Sequence, residues 1–260
     1  MVLTAIVVFD IDGVVRDVGG SYRRALADTV EQFTQGAYRP SQADIDRLKS
    51  EGLWNNDWEA SREMIDRYAE AEGKPRTSLS VDYEAVVDFF QRRYRGENLE
   101  NPEQWTGYIV DEPLLLSPAY LERLTEAGMS WGFFSGATRG SARFVLEKRL
   151  ALQSPVLVAM EDAPGKPDPT GLFQVTQQLT ASEEMPVIYV GDTVADMQTV
   201  QNARSQLPHR LWIGVGILPP HTQHSQEYQD AYIAQLQTSG AAIVLSNVEQ
   251  LTPERIRQLL

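Results

Sequence analysis

The sequence predicts an α/β fold, a doubly wound parallel sheet that carries an inserted α-helical domain. Three observations lead there. Apolar runs of strand length recur along the chain, most of them continuous rather than alternating, as strands covered on both faces require. Amphipathic helical segments separate these runs, which is the pattern of parallel strands joined by helices. One long region, residues 18–108, breaks the alternation and offers helical patterns without a strand.

The first run, residues 5–9, reads Ala-Ile-Val-Val-Phe and passes directly into Asp10 and Asp12. With no basic leader before it, it reads as a buried strand rather than a signal peptide. The insertion follows, with helices expected over 21–33, 41–50, 59–72 and 81–94. Ser21 and Ser41 suit the N-cap position, and Val18-Gly19-Gly20 provides a bend at the point of departure. Beyond it, strands are expected at 130–134, 156–159, 187–190, 211–215 and 242–245, and helices at 118–127, 139–150, 170–179 and 195–204. The domains are therefore 1–17 with 109–260, and 18–108.

Composition excludes several functions. The 260-residue chain has no cysteine, hence no disulfide, thiolate metal site or cysteine nucleophile. Its net charge of −13 argues against a nucleic-acid or anionic-membrane surface, and no stretch reaches the ~20 continuous apolar residues that span a bilayer. His221, His224 and Glu227 are spaced by three, so one helix face can gather them, but they follow Pro219-Pro220 in a polar stretch and read first as surface. Gly214-Val-Gly216 lacks the third glycine of a dinucleotide-binding turn. Leu172, Val175 and Leu179 form a helical stripe that belongs to a core.

Four short pieces at predicted strand ends carry the chemistry. In Phe9-Asp10-Ile11-Asp12-Gly13-Val14, residues two apart in an extended chain share a side, so Asp10 and Asp12 can serve one site. That site falls at the carboxyl edge of the sheet. Paired acids resist joint ionisation unless a cation intervenes, and hard oxygen donors without sulfur point to Mg²⁺. A solvated acidic turn is the plainer alternative. Phe134-Ser135-Gly136-Ala137 offers a hydroxyl and an unobstructed backbone N–H for an anion, and it is equally an ordinary turn. Pro164-Gly165-Lys166-Pro167 places one ammonium on a stiff loop, where a surface lysine is the alternative. In Gly191-Asp192-Thr193-Val194-Ala195-Asp196, a helix starting near Thr193 stacks Asp192 and Asp196 on one face. Either they bind and support a metal, or Asp192 caps the helix.

In this order the four pieces resemble the motif set of the haloacid dehalogenase superfamily, with the helical insertion resembling its helical cap. That resemblance implies a Rossmann-like core and a phosphoryl-transfer enzyme. It implies that Asp10 attacks phosphorus and that Asp12 acts as acid and then base. Ser135, Gly136 and Ala137 would surround the phosphoryl oxygens, with Lys166 neutralising them. Asp10, the Asp12 carbonyl and Asp192 would bind Mg²⁺, with Asp196 supporting the metal shell. The chemistry agrees. A carboxylate is ionised at neutral pH, so as nucleophile it needs only relief from repulsion by the anionic phosphate. A second acid at position 12 suits a phosphate ester, whose leaving oxygen needs a proton.

For substrate choice, Trp54, Asn55, Asn56 and Asp57, followed by Trp58, sit between two cap helices and resemble the family's specificity loop. They either contact a hydroxylated substrate or pack as an inter-helix turn. Arg16 and Arg139 lie near the first and second motifs, where either can reach a second anionic group. The expectation is a cytoplasmic, Mg²⁺-dependent phosphatase of a small phosphorylated metabolite, a sugar phosphate or a phosphorylated acid or alcohol. No nucleic acid or membrane partner is expected. A phosphomutase of the β-phosphoglucomutase type shares every motif, and a non-catalytic phosphoryl-ligand-binding protein is the rival from another class.

Overall fold

The protein is described by a computed structural model that covers residues 4–54, 56–180, 182 and 184–260. Among these, six parallel strands form one sheet, β1 Ala5–Phe9, β2 Met129–Phe134, β3 Leu157–Val158, β4 Val187–Gly191, β5 Trp212–Ile217 and β6 Ala241–Leu245. Their order is β3-β2-β1-β4-β5-β6. Connections run one way from β1 through β3 and the other way from β4 through β6. The crevice of such a sheet therefore opens at the carboxyl ends of β1 and β4.

The chain divides into two compact units, Met1–Asp17 with Pro113–Leu260, and Val18–Glu112. The second unit contains α1 Tyr22–Phe33, α2 Gln42–Lys49, α3 Asp57–Ala71 and α4 Tyr83–Arg95. Tyr22 of α1 meets Phe90 and Tyr94 of α4 edge-on, with ring centroids 5.0 and 4.6 Å apart. Ser41 closes a reciprocal capping box with Asp44 at the start of α2. Ser21, expected as a cap, makes no cap bond. Its hydroxyl donates to Glu112 at 2.5 Å.

The sheet unit contains α5 Pro118–Glu126, α6 Arg139–Arg143, α7 Thr170–Leu179, α8 Val194–Gln206, α9 Gln226–Thr238 and α10 Pro253–Leu259. The helix expected over 139–150 widens into a π-helix at Phe144–Arg149. All five residues of β1 are buried, and alternate ones face opposite ways. Val7 and Phe9 join a core with Leu121, Leu124, Val145 and Leu146, while Ile6 and Val8 join one with Leu172, Val175 and Val200. That double burial is why the strand sequences are continuously apolar. Gly214 and Gly216 lie inside β5, where an added Cβ would stand 3.1 Å from Met197 Sδ and 3.0 Å from Leu236 Cδ1. They admit α8 and α9 close to the sheet. Among the described residues no helix is long and apolar enough to cross a membrane.

One glycine contact links this packing to the β2 strand end. A Cβ on Gly171 would sit 2.2 Å from Phe134 Cε2, so Gly171→Ala must displace a buried ring. It should destabilise the protein by about 1–3 kcal/mol in urea unfolding. Gly165→Ala, in open space, should stay within about 0.5 kcal/mol of wild type.

Candidate active site

At the end of β1 the ladder continues one step, the Asp10 amide donating to the Val190 carbonyl at 2.8 Å. This seats Asp10 beside the end of β4, at 5% exposure. The chain then folds tightly, the Ile11 carbonyl accepting from the amides of Val14, Val15 and Arg16. Gly13 makes this turn in the left-handed region (φ 75°), and a Cβ there would lie 2.0 Å from Asp192 Oδ2. A non-glycine residue would be excluded twice, by conformation and by the neighbouring carboxylate.

Asp192 and Asp196 arrive from the end of β4 and the first turn of α8. Thr193 is the N-cap and forms a capping box with Asp196. The Asp196 carboxylate is fully used. One oxygen accepts from the Thr193 amide (2.9 Å) and hydroxyl (2.6 Å), the other from the Tyr189 hydroxyl (3.0 Å). Lys166 brings its ammonium to 2.8 Å from Asp10 Oδ1 and 2.7 Å from Asp196 Oδ1. It also stands over the rings of Phe134 and Tyr189, 5.3 and 5.4 Å from their centroids, within cation–π range. At the end of β2, the buried Ser135 hydroxyl oxygen accepts from the Ala137 amide at 3.1 Å.

Electrostatics follow from burial. Burial pushes the Asp10 carboxyl up to about 7, with Lys166 opposing and Asp196 and Asp12 adding to the rise. Burial also raises Asp192 well above the ordinary carboxylate value, helped by Asp196 and Asp10. For Asp196 burial pulls upward, but Lys166 and the Thr193 bonds outweigh it and the net shift is downward. For Lys166 burial favours the neutral amine, and Asp10 with Asp196 overrides it, holding the ammonium above its ordinary value.

Oxygens of Asp10, Asp192 and Asp196 lie within 4.8 Å of one another. Three buried carboxylates and one ammonium leave negative charge over, and the Asp192 side chain has no hydrogen-bond or ion-pair partner among the described residues. This donor set, all hard oxygen with one carboxylate uncompensated, fits a hard divalent cation. Asp10 and Asp192 would ligate it. Asp196 would support from behind, since its oxygens are already taken.

The sequence-expected residues thus fall into two groups. Asp10, Lys166, Asp192 and Asp196 are brought into contact. Arg16, expected to reach a second anion, is fully buried with its guanidinium on Asp12, Nε at 2.6 Å and Nη2 at 2.5 Å from Oδ1. Arg139 pairs with Asp162, and its amide donates to Glu161. In the other unit, the Trp54 indole donates to Glu51 at 2.9 Å, Asn56 caps α3, and Asp57 pairs with Lys49 at 2.8 Å. These polar groups serve the turn between α2 and α3. Asn55 lies outside the described residues. His221 and His224 end a short 3₁₀ turn and Glu227 starts α9, so they share no helix face and, among the described residues, no metal cluster. Sequence reasoning missed Tyr189, although a tyrosine in an otherwise aliphatic buried strand needs a partner for its hydroxyl.

A parallel α/β sheet with a lysine-bridged aspartate cluster at the β1/β4 crevice defines a hydrolase core of the haloacid dehalogenase type. The haloacid dehalogenase-like hydrolase family model matches residues 4–204, and the chain belongs to that family. A curated relative, an imidazoleglycerol-phosphate dehydratase from Phytophthora nicotianae, is 28% identical over 243 residues, 91% of this chain. The chain spans about half, 49%, of that relative's length. Two solved structures share the fold. Phosphatase Tt82 from Thermococcus thioreducens is similar at 22% identity and TM-score 0.60, covering 87% of this chain and 98% of that one. A phosphonoacetaldehyde hydrolase like protein from Oleispira antarctica is similar at 17% identity and TM-score 0.65, covering 96% and 90%.

The raised Asp10 value gives a stability signature. Its folded value, about 7, exceeds the ordinary 3.8, so its favourable contribution is complete at low pH and is lost as pH rises through about 7. In chelator-treated protein, the melting temperature of wild type should therefore fall relative to that of Asp10→Asn as pH rises from about 4 to about 8. A gap independent of pH would contradict the assignment.

Proposed function

We propose that the protein is a Mg²⁺-dependent phosphatase acting on a small phosphate monoester through a phosphorylated Asp10. The observation that carries this reading is the Lys166 ammonium set between Asp10 and Asp196, beside the uncompensated Asp192. A carboxylate held against a fixed cation is a nucleophile that needs no base, and a phosphoryl group approaching it meets compensated charge.

The residues divide the work as follows. An Asp10 oxygen attacks phosphorus as the bond to the leaving oxygen breaks, and Asp12 delivers its proton to that oxygen. Water then attacks phosphorus, Asp12 takes its proton, and the Asp10–phosphorus bond breaks to release phosphate. The backbone at Ser135–Ala137 and the Lys166 ammonium accommodate the phosphoryl oxygens. Bound Mg²⁺ would supply Lewis-acid charge neutralisation between Asp10, Asp192 and the phosphate.

Substrate choice is drawn from phosphorylated sugars, acids and alcohols. The Phytophthora nicotianae relative is named for an imidazole-bearing glycerol phosphate, so such phosphate esters belong among the substrates to assay. A phosphomutase would share the same groups and differ in where the phosphoryl group of Asp10 goes. Release of free phosphate without any bisphosphate requirement separates the two.

With Mg²⁺ and a panel of these monoesters, Asp10→Asn should lose at least about 10³-fold in kcat. Chelation should abolish turnover reversibly, and acid-quenched wild type should carry label from ³²P-substrate. Full activity of Asp10→Asn, or after chelation, would refute the reading.

A further inference from the structure

Asp12 has two duties in this scheme, giving a proton to one oxygen and taking one from another. Both need a carboxyl whose orientation is fixed, and the loop after β1 supplies the means. The Arg16 guanidinium addresses a single oxygen of Asp12, with Nε 2.6 Å and Nη2 2.5 Å from Oδ1. Arg16 is 0% exposed whereas the Asp12 side chain is 27% exposed, so the cation lies on the buried side of an acid that is partly open. Among the described residues, the hydrogen bond to the Asp12 carboxylate falls on Oδ1, and Oδ2 accepts none.

The backbone holds this pair stiffly. The Arg16 carbonyl accepts from the Gly13 amide at 2.9 Å, and the Arg16 amide donates to Ile11. Arg16 bridges Leu114 in antiparallel fashion. On either side, Asp17 donates to Pro113 and Leu115 to Val15, each at 2.8 Å. A buried guanidinium on a loop stapled this way has little freedom to follow the acid, so the acid is held to it.

We infer that Arg16 is a positioning residue for Asp12, fixing Oδ1 so that Oδ2 is the oxygen that exchanges protons with leaving group and water. The inference rests on the phosphatase reading above. Guanidinium has donors only, so Oδ1 stays an acceptor whether Asp12 is ionised or protonated. The proton, when present, is confined to Oδ2.

The leaving group decides whether this is so. An alkoxide needs a proton as it departs, while p-nitrophenolate does not. With Mg²⁺, kcat/KM of Arg16→Gln should fall by about 10²-fold for an alkyl phosphate and by less than about 5-fold for p-nitrophenyl phosphate, with Arg16→Lys recovering part of the alkyl-ester loss. A merely structural arginine would lower both substrates alike, and that result overturns the inference. Asp12→Asn is the reference. If it too lacks selectivity between the two esters, the acid role of Asp12 falls and the inference falls with it. If it is selective and Arg16→Gln is not, only the positioning role falls. Should Arg16→Gln fail to fold, Arg16→Lys carries the test, since it loses the directed Nε bond to Oδ1 and must show selective loss or refute the role.

Discussion

The site depends on one buried ammonium. Lys166 reaches two carboxylates, Asp10 and Asp196, at 2.8 and 2.7 Å, in a place where an unpaired charge of either sign would cost several kcal/mol. Each partner answers a need of the others. Asp10 is pushed up by burial, and the adjoining Lys166 ammonium opposes that rise. Asp196 carries its charge at full burial because Lys166, Tyr189 and Thr193 satisfy its oxygens. The rings of Phe134 and Tyr189 close the ammonium in and leave it little besides the acids to face.

Sheet topology delivers these groups to one point. Asp10 ends β1, Asp192 and Asp196 follow β4, and the two strands are neighbours at the switch in strand order. Two glycines allow the close approach. Gly13 lets the loop after β1 lie against Asp192, and Gly191 clears space for Asp196, whose Cβ would be 2.3 Å from an added methyl. Arg16 then ties the same loop to Asp12, so Asp10 and Asp12 share one short, stapled stretch.

Much of this was legible in the sequence. Each of the six expected strands has a counterpart at nearly the expected residues, because continuous apolar runs bounded by polar turns admit few other readings. The first and fourth motifs announced themselves as acids at strand ends. What could not be read was partner choice. Arg16 and Arg139 were visible as cations near the motifs, but i,i+4 spacing outside a helix does not reveal that Arg16 turns inward onto Asp12. Ser21 had the right identity for a cap but makes no cap bond, its hydroxyl donating to Glu112. Tyr189 read as one more strand residue because its hydroxyl acceptor, Asp196, becomes a neighbour only once α8 folds back over β4. Ile233 and Leu236 read as an apolar helical stripe within α9, of which Leu236 is buried, but the bounds of that helix and the seven-residue α10 were not legible.

The central claim is energetic coupling through Lys166, and a double-mutant cycle measures it. At pH about 8 without metal, Lys166→Met should destabilise the protein by about 3–5 kcal/mol by leaving acids buried without their cation. Adding Asp10→Asn should restore part of that loss, giving a non-additivity of about 1–3 kcal/mol in urea unfolding. Additive effects of the two substitutions would show that the ammonium does not hold the carboxylates together, and would contradict the account.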